Sequence, residues 1–229
     1  MIITKPIDTT LDFTPGSGAA PRRSLILNHA LTEAKLIVRN GEQLMVALLI
    51  PLALLFFGHF AKGRYGITEE TIAPNVLALA IWSSCFTSLA IATAFERRYG
   101  VLERLSATPL GHSGLLAGKA MGITLIATGQ FLLLGGLAQA LGWRITPDAL
   151  QWPIMLVGVP LAMFVFANLA LAMAGLLRAE ATLAFANILY LVGLMGGGIM
   201  WPVSSFPHTI QPFIAALPTG ALGEILRHW

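Results

Sequence analysis

Residues 73–95 read APNVLALAIWSSCFTSLAIATAF, without one formal charge. A helix needs about 20 apolar residues to cross a hydrocarbon core about 30 Å thick. The run then stops at ERRYGVLERLSATPLGHSGLLAGK, residues 96–119, which carries Arg97, Arg98, Arg104 and Lys119 beside Glu96 and Glu103. The apolar stretch is continuous, whereas strands of a membrane barrel alternate. The pair therefore reads as a spanning helix that leaves the bilayer into a charged loop.

Four further gaps between charge clusters have similar length: 43–60, 115–141, 154–177 and 181–200. Lys119 is the one formal charge within the five, and its long stem can snorkel to the interface. The chain of 229 residues is 56% hydrophobic and 11% charged, against about 25% charged in soluble domains. Buried helices of soluble proteins have apolar runs of about 10–14 residues. The composition thus predicts an all-α polytopic membrane protein with five visible spans. Residues 1–23 have no signal-peptide apolar core and read as a flexible tail. Residues 24–229 read as one membrane domain. Cys85 is alone and mid-span, an apolar filler.

Basic residues favour the cytoplasmic side. With the N-terminus inside, Lys5, Arg22, Arg23, Lys35, Arg39, Arg97, Arg98, Arg104, Lys119 and Arg178 lie inside, against Lys62, Arg64, Arg144 and Arg227 outside. That is 10 to 4 of the chain's 14. The net charge of +3 follows this rule and needs no nucleic-acid partner.

Residues 24–40 carry Leu27, Ala30, Leu31, Ala34, Ile37 and Val38 on one helical face, with Asn28, Thr32, Lys35 and Arg39 opposite. This predicts an amphipathic helix in the interface plane. Ser24 is its candidate N-cap, and Asn40-Gly41 breaks it before the first span. After the second span, Phe95, Tyr99 and Leu102 share one face and Arg98, Val101 and Leu105 another. The spacing predicts one short amphipathic helix ending before Thr108, because Pro109 disfavours helical geometry there. Its charges suit a protein-docking surface or a solvated face. Glu103 can also pair internally with Arg98 or Arg104.

The stretch 96–119 resembles the segment between the second and third spans of type-2 ABC exporter permeases, the bacterial drug-, polyketide- and lipid-export type. Residues 33–58, EAKLIVRNGEQLMVALLIPLALLFFG, and 197–227, GGIMWPVSSFPHTIQPFIAALPTGALGEILR, are similar to other parts of that family. The resemblance implies that Glu96, Arg97, Arg98, Tyr99, Leu102, Glu103, Arg104 and Leu105 form a coupling helix seated on a separate ATPase, which binds ATP and Mg. It implies that Leu27, Leu31, Lys35 and Arg39 belong to an in-plane connecting helix. It also implies a second permease chain, same or related, a bacterial inner-membrane location, and a sixth span beyond the segment that ends at Trp229.

After the fifth span, Trp201, Pro202, Phe206, Pro207 and Pro218 punctuate an apolar stretch too short to cross. Residues 201–218 suit a re-entrant hairpin, or an outer loop with aromatic anchors. The resemblance implies short re-entrant helices that close the outer end of the path. Gln130, Asn168 and Asn187 lie within spans; each can pair across helices or line the path. Gly114, Gly118 and Gly122 are four apart, as are Gly193 and Gly197, spacing that permits close helix contact.

Several activities are excluded. Gly114 to Ala120 falls one residue short of a P-loop and ends in Ala, so the chain has no nucleotide site of that kind. His29, His59, His112, His208 and His228 have no metal-ligand spacing. No acidic pair sits within a span, as proton-driven transport usually requires. The chain is expected to be no enzyme and to bind no cofactor. The expected role is an ABC exporter permease with an amphiphilic drug-like or lipid cargo. The alternatives are a membrane scaffold or a passive channel.

Overall fold

The computed structural model describes residues 20–61, 69–144 and 149–228, without the side chains of 42–44, 46, 69 and 70. The tail before residue 20, parts of the loops at 61–72 and 142–153, and Trp229 lie outside the described residues, with Lys5, Lys62 and Arg64. All described secondary structure is helical. The elements are α1 Arg22–Arg39, α2 Gly41–Phe60, α3 Glu69–Trp82, a π-helical segment Ser83–Ser88, α4 Leu89–Arg98, α5 Val101–Ser106, α6 Gly111–Ala140, α7 Gln151–Leu176, α8 Ala179–Gly196, a 3-10 turn Val203–Ser205, α9 Gln211–Ala216 and α10 Pro218–Arg227.

Among the described residues, four helices are long and apolar enough to cross a membrane: Thr71–Arg98, Gly111–Ala140, Gln151–Leu176 and Ala179–Gly196. The first predicted span is the 20-residue α2, whose described apolar part is Ala47–Phe60. The Thr71–Arg98 helix is the centre of the bundle: its apolar stretch is 72% buried, against 22% for α8. Ala78, Ala80, Ala90, Ala167 and Ala170 are almost wholly enclosed there. Small side chains let helices approach closely, the main source of helix association in lipid. Trp82 stacks on Phe86 with ring centroids 4.2 Å apart and meets Phe166 edge-on at 4.8 Å.

The first helix departs from expectation in two ways. It starts at Arg22 after Pro21, so Ser24 is inside the helix and not its cap. It also lies lengthwise and parallel against the start of α6. A Cβ on Gly114 would meet Leu110 and Ile26, one on Gly118 would meet His29, and one on Gly122 would meet Glu33. The buried line is Ala30 and Ala34, rotated from the predicted stripe. Leu27, Leu31 and Val38 are left about half exposed. The glycine row decides this rotation, because only there can the two backbones come close. The break at Asn40 falls where expected.

Candidate functional site

The charged corner begins where α4 ends. Gly100 has φ +70°, a left-handed conformation that glycine adopts without a Cβ penalty. Its N–H donates to Arg97 O at 3.1 Å. The chain reverses, and α5 is a separate helix of six residues. The single helix predicted through 96–105 is therefore two. Residues 96–98 are the last turn of the spanning helix, and the predicted faces do not continue across Gly100. Thr108 Oγ1 donates to Leu105 O at 2.6 Å, and Gly111, at φ +65°, admits the chain into α6. The helix thus begins at Gly111, four residues before the apolar run at 115–141.

The charges divide into two sets. Arg97 donates to the carbonyls of Gly175 and Leu177, the open C-terminal end of α7. Arg98 pairs with Glu180, in the first turn of α8. Glu96 Oε2 lies 2.6 Å from Lys119 Nζ. Tyr99, Glu103 and Arg104 instead stand exposed. Neither Glu103 nor Arg104 forms an ion pair among the described residues, so the internal pairing considered for Glu103 does not form. Leu102 and Leu105 are half-buried on the inner side of α5.

Lys119 does not snorkel. It is 2% exposed and contacts both Glu33 oxygens at 3.1 Å as well as Glu96. His29 Nε2 is 3.5 Å from Glu33 Oε1. Burial pushes the His29 pKa down; Glu33 opposes this, Lys119 adds to it and Glu96 opposes it. The quartet joins α1, α4 and α6. Sequence reasoning missed it because Glu33 lies 63 residues from Glu96 and 86 from Lys119.

Among the polar residues within spans, Gln130 is consumed by structure. It donates to Ala47 O at 2.8 Å and accepts from Ser84 Oγ at 2.8 Å. Asn187 donates to Leu183 O and lines a cleft of about 560 Å³ with Ser83, Thr87, Ser88 and Tyr190. The π segment supplies three of those hydroxyls. An inserted residue of this kind often marks a functional site, and SSCFTS gave only its polarity as a signal. Asn168 donates to Phe164 O and lines a separate groove between α1, α6 and α7.

At the far end, α9 stops at Ala216, Leu217 is extended before Pro218, and Pro218 opens α10. α9 and α10 form a hairpin whose turn, Leu217 to Thr219, lines a cavity with Trp82, Phe166 and Gly193. A Cβ on Gly220 would strike Ile214 O, and one on Gly223 would strike Gly198 O. Arg227 ties this end together. It donates to Asn75 Oδ1 at 3.0 Å, to Gly198 O at 2.7 Å, to Ile199 O at 2.6 Å and to Glu224 at 3.0 Å. Asn75 Nδ2 donates to Met200 O at 2.8 Å, and Glu224 accepts from the Val203 N–H at 2.8 Å. Trp201 and Pro207 are exposed; Pro202 and Phe206 are half-buried. No cluster of metal-binding residues occurs among the described residues.

An apolar helical bundle, a charged corner braced from inside and a hairpin at the other end define a polytopic transport subunit. Residues 30–228 match the family described as ABC-2 type transporter, and the chain belongs to it. It is a membrane subunit of that permease family. It is 28% identical over 198 residues to Heme exporter protein B of Paracoccus denitrificans (strain Pd 1222), covering 84% of this chain and 82% of that protein. No solved structure matches.

Proposed function

We propose that the chain is the membrane subunit of an ATP-driven exporter in a bacterial inner membrane, with its N-terminus and charged corner in the cytoplasm. ATP and Mg belong to a separate ATPase subunit, and a second permease chain, same or related, completes the path. The observation that carries this reading is the division of charge at the corner. Glu96, Arg97 and Arg98 brace α4 against α6, α7 and α8. Tyr99, Glu103 and Arg104 are left for a partner.

The geometry suits a lever. A push on α5 reaches three spans through those ionic contacts and α1 through Glu33 and Lys119. The ATPase shifts the permease only as far as it binds one arrangement better than the other. At the far end, the hairpin α9–α10 is a re-entrant gate held shut by Arg227. The cleft beside Asn187 falls within the range of about 300–1,000 Å³ that small-molecule sites occupy. Its hydroxyls face the apolar Ile50 and Leu79, which suits an amphiphilic cargo, drug-like or lipid. The similarity to Heme exporter protein B makes heme, an apolar ring with two carboxylates, a specific second cargo.

The test is charge reversal at the exposed pair. Glu103→Arg with Arg104→Glu should abolish co-purification with the ATPase, or uncouple its turnover from transport, while the bundle stays folded. ATPase association and coupled transport at parental levels in that variant would refute the docking assignment. Conductance in liposomes without ATP would favour a channel.

A further inference from the structure

We propose that the groove between α1, α6 and α7 binds one anionic phospholipid of the leaflet at the charged end. Its volume is about 1140 Å³, above the range of about 300–1,000 Å³ typical of small-molecule sites. Along α6 it is lined from Ser113 to Thr128, a length of about 22 Å at a rise of about 1.5 Å per residue. One leaflet with its headgroup layer is about 20–22 Å deep. The groove therefore has the length of a lipid.

The walls have the chemistry of an acyl-chain site. Leu27, Leu31, Leu116, Leu125 and Phe164 line it. Its polar side chains already bond within their own helices: Thr124 to Ala120 O, Thr128 to Thr124 O and Asn168 to Phe164 O. Nothing along the walls calls for a hydrogen-bonding occupant, which disfavours a polar cargo or a packed polar helix.

The mouth has the opposite chemistry. Ser113 accepts a hydrogen bond from Arg22 at 2.5 Å, which fixes a guanidinium at the rim. Arg23 is exposed beside it, and neither arginine forms an ion pair among the described residues. Lys119, farther along α6, is already neutralised by Glu33 and Glu96. Two uncompensated cations above an apolar slot match a phosphate headgroup with its chains below. The inference rests on the proposed placement of the charged end at the inner-leaflet boundary.

The experiment uses the permease–ATPase complex in nanodiscs of phosphatidylcholine and phosphatidylglycerol, extracted for native mass spectrometry. The parent should retain phosphatidylglycerol, and retention should fall roughly fivefold for each charge removed in Arg22→Gln and Arg23→Gln. A second measurement keeps the arginines. Leu116→Trp should add fluorescence that brominated phosphatidylglycerol quenches more strongly than brominated phosphatidylcholine. Equal retention or equal quenching by the two lipids would overturn the site, as would cross-linking from Leu31 to a second permease copy. ATPase turnover is read on the same samples. No preference for phosphatidylglycerol in the parent, with ATPase turnover still coupled, sinks the lipid site alone, while uncoupled turnover in the parent overturns the transporter reading.

Discussion

Lys119 Nζ lies 2.6 Å from Glu96 Oε2 on α4 and 3.1 Å from both carboxylate oxygens of Glu33 on α1. One buried cation thus joins the helix before the first span, the end of the second and the start of the third. The corner that carries α5 depends on this contact, because Glu96 is the last acidic residue before the chain turns at Gly100.

Removal of that cation leaves two carboxylates facing each other under the surface. Lys119→Met should destabilise the protein by about 3–5 kcal/mol, the usual cost of an uncompensated buried charge. Adding Glu33→Gln and Glu96→Gln should restore most of the loss. Thermal unfolding of the purified protein in detergent checks both.

The glycine row gives a contrast within one helix. Gly118→Ala places a methyl against the His29 ring, whereas a Cβ on Gly129 meets nothing within 4 Å. Overpacking costs about 1–3 kcal/mol. Gly118→Ala should therefore loosen α1 and speed proteolysis between α1 and α2. Gly129→Ala should be neutral or slightly stabilising, since alanine is the better helix former.

His29 gives a pH dependence. Its pKa in the folded protein lies below the ordinary value of 6.5, with burial the main cause. The unfolded chain binds the proton first as pH falls, so stability is full above 6.5 and declines between 6.5 and the lowered folded value. His29→Gln should remove this part of the slope. Unfolding midpoints at a series of pH values decide it, and a rise in stability on acidification through that window would contradict the assignment.

Arg227 is the matching test at the far end. Arg227→Ala leaves the Gly198 and Ile199 carbonyls and the Asn75 side chain without their donor. Each buried group left unsatisfied costs about 1–3 kcal/mol. Arg227→Lys should recover little, because an ammonium cannot span several acceptors as a planar guanidinium does. Accessibility of a cysteine at Thr219, which is 6% exposed in the parent, to a membrane-impermeant label should rise in both variants.

Much of the architecture was legible in local sequence. Charge-free runs marked the helices within a few residues, because the cost of burying a charge in lipid is written residue by residue. Asn40-Gly41 and Pro109 marked real boundaries for equally local reasons. The charged stretch at 96–119 was also recognisable as a unit.

The roles within that stretch were not legible. Arg97 and Arg104 are alike in sequence, yet one holds the end of α7 and the other is exposed. The difference arises because α7 ends beside α4, a contact across 78 residues. The π segment, the Arg227 hub and the Lys119 quartet have the same origin. Sequence by itself determined where the chain leaves water and where its helices stop, since those energies depend on neighbours along the chain. Tertiary structure decided which charges are spent inside and which stay free, since ion pairs and close backbone contacts depend on distance in space.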